Sequence, residues 1–237
     1  LNGIRALACI LLVFVVSVMS PIAFIASLGE ESQRKSGGGE GTSKAHAAIA
    51  ELMPPPPQMD AESANAREQA LLESYRAILA KRGSFGMQAV YDAVRVWRTI
   101  TMPAATAAHL DRARVEAVMA VESQGMPNVT SSANCRGLMQ LKDGTARQYG
   151  IARPLQESYI PERNIPAGTR YLGELVQRYE GDGDTALAAY NTGEAGFDRR
   201  EERMQSTMGD NRSGYWHTRS HLPRETQEYV PSVLAWE

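Results

Sequence analysis

Residues 115–140 read VEAVMAVESQGMPNVTSSANCRGLMQ, and the place of one carboxylate in this stretch decides how the rest of the chain is read. Asp111 is a usable N-cap for a helix that Gly125 and Pro127 must end, since a short side-chain acceptor suits a helix start and neither glycine nor proline continues one. The apolar stripe of that helix is Val115, Val118 and Met119, and helical spacing puts Glu122 next on the same stripe. A carboxylic acid turned toward the core loses hydration as an anion, so its pKa rises toward the working pH and it can hold and deliver a proton. The plainer alternative is a last-turn glutamate tilted into water.

Downstream stand Ser131, the tetrapeptide Gly137-Leu138-Met139-Gln140, and Ala189-Tyr190-Asn191 followed by Gly193. Together with Glu122-Ser123, Pro127, Thr145-Ala146, Asn164-Ile165, Gly168, Tyr171-Leu172, Leu222-Pro223, Glu225-Thr226 and Tyr229-Val230, they run in order from about His109 to Leu234. In this order they resemble the soluble lytic transglycosylase (SLT) family, relatives of goose-type lysozyme. The resemblance implies a mainly α, lysozyme-like domain that cleaves the MurNAc-GlcNAc β-1,4 bond of peptidoglycan and leaves a 1,6-anhydro-MurNAc end. It implies that Glu122 protonates the glycosidic oxygen and then acts as base. Ser131, Met139 and Gln140 would line the sugar subsites, Tyr190 and Asn191 would approach Glu122 from the other side, and Tyr229 ranks below them as a further candidate.

The residue types suit those roles. Serine and glutamine can hydrogen-bond sugar hydroxyl and acetamido groups, methionine offers an adaptable apolar contact, and a tyrosine hydroxyl can orient a carboxyl group. Alternatives stay open at single positions: Met139 and Tyr190 also suit a core, and Gly137 a turn. Glu194 and Asp143 stand where the family often has proline, and the charged segment 199–221 reads as an insertion.

Ordinary glycosidases use two carboxylates. Glu194 is the one second acid that the motifs bring forward, and it reads as a solvated loop residue, the alternative being a water-activating base. Without such a base, capture of the cationic sugar by its own 6-hydroxyl is expected.

The 237 residues are 43% hydrophobic with a formal net charge of −2, and no basic stripe points to nucleic acid. From Ala6 to Leu28 the chain is uncharged and almost wholly apolar, long enough for a transmembrane helix. A signal peptide cleaved near Ser27-Leu28-Gly29 is the competing reading. Either one exports the chain beyond Glu30, giving a single-pass inner-membrane protein with its catalytic domain in the periplasm, or a secreted one. The expected organisation is therefore an anchor or signal at 1–29, a Gly/Ser/Pro-rich flexible linker at 30–60 with a short helix at 45–53, an accessory amphipathic helical pair at 61–100, and the catalytic domain at 101–237. The accessory helices, 61–82 and 87–97, either pack on that domain or form a partner-binding hairpin.

Three local patterns are read plainly. Cys9 and Cys135 lie too differently placed for a disulfide, and Cys135 reads as a small filler. Asp184 reads as the cap of the helix leading to Tyr190, in a turn that only begins like a calcium loop. His217 and His221 have the spacing of a zinc pair, but no glutamate follows His217 and no third ligand is evident, so neither metal nor cofactor is expected. The partners expected are glycan strands, a membrane through the first helix, and a secretion, conjugation or phage machine that opens the wall locally. A hydrolytic muramidase and a non-catalytic peptidoglycan-binding scaffold are the alternatives.

Overall fold

A computed structural model describes residues 59–209 and 212–237. The expected anchor or signal at 1–29, the helix at 45–53 and nearly all of the linker lie outside these residues. Among the described residues no helix is long and apolar enough to cross a membrane. The chain divides into two compact units, residues 1–72 and 73–237.

Within the first unit, Asp60 Oδ1 accepts from Ser63 N at 2.8 Å and so caps the helix that begins at Ala61. That helix, α1 (Ala61–Arg95), is the accessory pair run together, broken only at Gly83, whose φ of 64° and ψ of 171° are not helical. Its part beyond the break belongs to the second unit and buries Val90 and Val94 there. Trp97 just after it donates from Nε1 to Gly125 O at 3.0 Å. Residues 87–97 thus lie against Gly125 within the second unit.

The second unit is all helical, and its only strand-like pairings among the described residues are isolated bridges joining Arg136 to Thr130 and to Leu141. Helix α2 (Arg98–Ala107), which the sequence reading lacks, contains Pro103 on its exposed side and buries Thr101 and Ala105. Helix α3 (Arg112–Glu122) starts where expected, with Asp111 accepting from Ala113 N. Short helices α4 (Asp143–Gln148) and α5 (Pro154–Glu157) lead to α6 (Pro161–Arg178). Proline pre-sets the first-turn φ, so α6 begins at Pro161, and Asn164 is a buried residue inside the helix.

In helix α7 (Gly183–Thr192) each residue from Gly183 to Tyr190 is buried, which marks it as the helix the others surround. Its cap is Asp182, whose side chain accepts from Asp184 N and Thr185 N, and not Asp184 as expected. Asp184 instead lies buried and accepts from Trp216 Nε1 at 2.8 Å. The charged segment expected to be an insertion takes in most of helix α8 (Glu194–Met208), then α9 (Tyr215–Thr218) and a 3-10 turn (Arg219–His221), and leads to α10 (Arg224–Trp236). Helix α3 packs on α2 and α10, α6 on α2 and α7, and α7 also on α8 and α10. This arrangement sets the end of α3 against the side of α10.

Candidate active site

Glu122 closes α3 and is half-buried. Its Oε1 accepts a hydrogen bond from Tyr229 Oη of α10 at 2.8 Å. Burial among protein atoms pushes its pKa up to about 7, the Tyr229 bond pulls it back, and the charge of Glu225 pushes it up again. Glu225 lies one helical turn before Tyr229, is exposed, and is an acid near Glu122 that the sequence reading did not single out. Tyr229 and Tyr190 have phenol pKa values raised well above the ordinary one, by burial first and by the Glu122 charge second, so both remain hydrogen-bond donors.

The next residue, Ser123, is buried and shares its hydroxyl proton between Leu138 O at 2.8 Å and Met119 O at 3.1 Å. This ties the Gly-Leu-Met-Gln segment to the helix that carries the acid. Asn164 holds the same segment from α6, donating from Nδ2 to Arg136 O at 3.1 Å and accepting from Met139 N at 2.7 Å. Gly137 has φ of +80°, and a Cβ there would meet Ser158 O at 2.0 Å, so only glycine fits. Arg136 is also buried and paired with Asp143, the residue found where proline was usual.

The expected site residues separate into Tyr229, which holds the acid, two that are committed to the 137–140 segment, and three with polar groups to spare. Tyr190 Oη donates to Met139 O at 2.8 Å, so it braces that segment; the carboxyl group it was expected to orient is held by Tyr229, which ranked lower. Met139 is fully buried, its Sδ accepts from Thr169 Oγ1, and it sits against Gly168; it offers no surface for a sugar in this conformation. The other three keep polar capacity unspent. Ser131 Oγ accepts from Cys135 N at 3.1 Å and still has a proton to donate. Gln140 spends its Nε2 on Gly137 O and Val129 O, while among the described residues its Oε1 has no partner. Asn191 Oδ1 accepts from Thr226 Oγ1 at 2.8 Å, and its amide protons are unspent. Cys135 is a free, half-buried thiol in the same loop.

Glu194 is not the solvated loop residue expected. It is half-buried on the first turn of α8 and accepts from Tyr171 Oη at 2.8 Å. Tyr171 stacks on Tyr190 with ring centroids 5.1 Å apart, and on Tyr149 at 5.3 Å. Among the described residues no group of three or more His, Cys, Asp or Glu side chains is placed to hold a metal.

A half-buried acid at the end of α3, beside a loop pinned by buried side chains, sits in a lysozyme-like helical fold of the kind seen in lytic transglycosylases. The crystal structure of an inactive mutant of the lytic transglycosylase Slt of Pseudomonas aeruginosa overlays with a TM-score of 0.51 at 20% identity, over 89% of this chain and 36% of that one. The 70 kDa soluble lytic transglycosylase of Escherichia coli overlays with a TM-score of 0.50 at 22% identity, over 82% and 32%. Residues 100–212, a little under half of the chain, match the family model of the transglycosylase SLT domain. It is 33% identical over 120 residues to membrane-bound lytic murein transglycosylase D of Escherichia coli, covering 48% of this chain and 25% of that protein. It is 40% identical over 101 residues to the transglycosylase of Enterobacteria phage PRD1, covering 43% and 36%. The chain therefore spans between a quarter and little more than a third of these relatives' lengths.

Proposed function

We propose that this protein is a peptidoglycan lytic transglycosylase that cleaves the MurNAc-GlcNAc β-1,4 bond with Glu122 as its acid and base. The observation that carries the reading is the state of Glu122, a half-buried carboxyl group with a pKa near 7 in an SLT domain. Protonated Glu122 gives its proton to the glycosidic oxygen as the bond from that oxygen to the muramyl C1 breaks. The carboxylate then takes the proton of the muramyl 6-hydroxyl while O6 bonds to C1, closing the 1,6-anhydro ring and restoring the acid. No water enters the balance. Tyr229 positions the carboxyl group throughout. Ser131, Gln140 and Asn191 supply the unspent donor and acceptor groups for the sugars, and Met139 and Tyr190 keep the wall behind them in place.

Envelope placement belongs to the same reading, supported by relatives named as membrane-bound. An anchor or signal at residues 1–29 and service to a wall-opening machine are its finer parts; the phage relative supports a phage machine among the candidates. The test is digestion of purified cell wall followed by mass spectrometry. Anhydro-muramyl ends are expected from the wild type, and Glu122→Gln should bind glycan while losing at least about a thousandfold in rate. Substantial turnover by that variant would sink the assignment.

One observation favours a second reading. The Glu225 charge reaches Glu122, so a hydrolytic muramidase would find its water-activating base there rather than at Glu194. Reducing ends that disappear in Glu225→Gln would establish that alternative.

A further inference from the structure

Two tyrosine-carboxylate pairs lie side by side next to the site. Tyr149 Oη donates to Glu174 Oε2 at 2.7 Å, and Tyr171 Oη donates to Glu194 Oε2 at 2.8 Å, with the two rings 5.3 Å apart. The pairs differ in charge balance. Glu174 is exposed and has a cation, Arg170 Nε at 3.1 Å. Glu194 is half-buried, and among the described residues no lysine, arginine or histidine forms an ion pair with it. Its Oε2 has a neutral phenol as partner. Arg200, six residues along its helix, is turned to Gly196 O at 2.7 Å.

Keeping a carboxylate partly out of water without a counter-charge is costly, and folded proteins normally supply the missing cation from a side chain, a metal or a ligand. Glu194 is linked to the surroundings of Glu122 through two tyrosine rings. Tyr171 stacks on Tyr190, Tyr190 holds the Met139 carbonyl, and the Glu122 charge acts on the Tyr190 phenol. Gly193, with φ of +80°, turns the chain between Asn191 and Glu194, which stand three residues apart.

We propose that Glu194, with the Tyr171 hydroxyl beside it, is a specificity site for a primary ammonium group carried by the substrate. The inference rests on the transglycosylase reading, because it needs a polymer to enter the cleft. Peptidoglycan can bring such a group from two sources, the free side-chain amine of a diamino acid in an uncross-linked stem peptide, or a glucosamine that has lost its acetyl group. An ammonium seated on Glu194 converts an uncompensated carboxylate into an ion pair that exists only when that substrate is bound. The site therefore selects among wall polymers without taking part in bond cleavage. The phenol alone cannot replace the carboxylate, since it supplies a dipole and not a charge.

The experiment compares kcat/KM on matched substrates, using the full chain. In one arm, intact wall fragments are used with their amines free or blocked by acetylation. In the other, glycan stripped of its peptides is used fully acetylated or partly de-N-acetylated. Wild type should prefer the amine-bearing member of one arm by about tenfold, as expected of a partly buried ion pair. In Glu194→Gln that ratio should fall to about one, whereas Tyr171→Phe should retain most of it. The arm that shows the preference identifies the source of the amine. Brisk cleavage by wild type with a ratio of one in both arms overturns the ammonium site alone. A preference that survives Glu194→Gln overturns it as well. No cleavage of any substrate by wild type overturns the transglycosylase reading, and this inference falls with it.

Discussion

Tyr229 reaches Glu122 across 107 positions of sequence, and its hydroxyl donates to the carboxylate at 2.8 Å. Being on α10 while Glu122 ends α3, it makes the acid's protonation depend on how these two helices dock. The bond favours the charged form of Glu122 and opposes the larger effect of burial.

Removing that bond should raise the pKa of Glu122 further. In Tyr229→Phe, the alkaline limb of the pH profile of kcat/KM, expected near pH 7 in wild type from the state of Glu122, should move up by about half to one unit. A limb that stays in place, or moves down, would show that another group sets it.

Glu225→Gln should have the opposite sign. The negative charge of Glu225 disfavours ionisation of Glu122, so neutralising it should lower that pKa and bring the alkaline limb down by a few tenths of a unit. Because Glu225 is exposed, the shift should shrink in high salt. An upward shift, or one insensitive to salt, would contradict this account.

Glu122 also sets a stability that varies with pH. Its folded pKa of about 7 lies above the ordinary value of 4.5, so the folded state binds the proton more tightly and loses stability as pH rises between those values. Glu122→Gln removes that loss. The variant should be more stable than wild type by about 1–3 kcal/mol at pH 8, with the advantage fading to nothing near pH 4.5. Urea unfolding at both pH values measures it, and an advantage equal at both would disprove the linkage.

Gly137→Ala should damage the fold and not only the site. The added carbon would meet Ser158 O at 2.0 Å and occupy a φ of +80°, so a cost of about 3 kcal/mol or more is expected. A thermal unfolding midpoint equal to that of wild type would show that the 137–140 segment can move aside.

The sequence carries the helix and the acid well, because Asp111, the apolar stripe and the Gly125 stop are local signals that lie within a few turns of one another. It misjudges the partners of that acid. Its motifs put Tyr190 forward to orient Glu122 and rank Tyr229 behind it, yet Tyr190 serves the Met139 carbonyl and Tyr229 the carboxyl group. Both are tyrosines in motif positions, and nothing in their spacing says which phenol reaches which oxygen. Asparagine often caps a helix, but Pro161 already starts this one and leaves Asn164 in the core. Ser123, Thr226 and Glu225 all stand within motifs without an evident role, since each acts on a residue far away in the chain. Helix α2 escapes notice because Pro103 argues against a helix unless, as here, it faces solvent.

Asn164 has a consequence for how such chains can diversify. Its amide spans Arg136 O and Met139 N as a neighbouring strand of one residue would, so the distance between those two backbone atoms is fixed from outside the loop. One residue inserted between them would displace a contact by roughly 3.3 Å, the rise of extended chain, and orphan a buried polar atom. Length changes are therefore excluded from 136–139 and pushed outward, to the stretch before α6 and to the long segment after Gly193. Lineages of this domain should differ in the borders that meet different polymers, while the ledge beneath the sugar keeps one length.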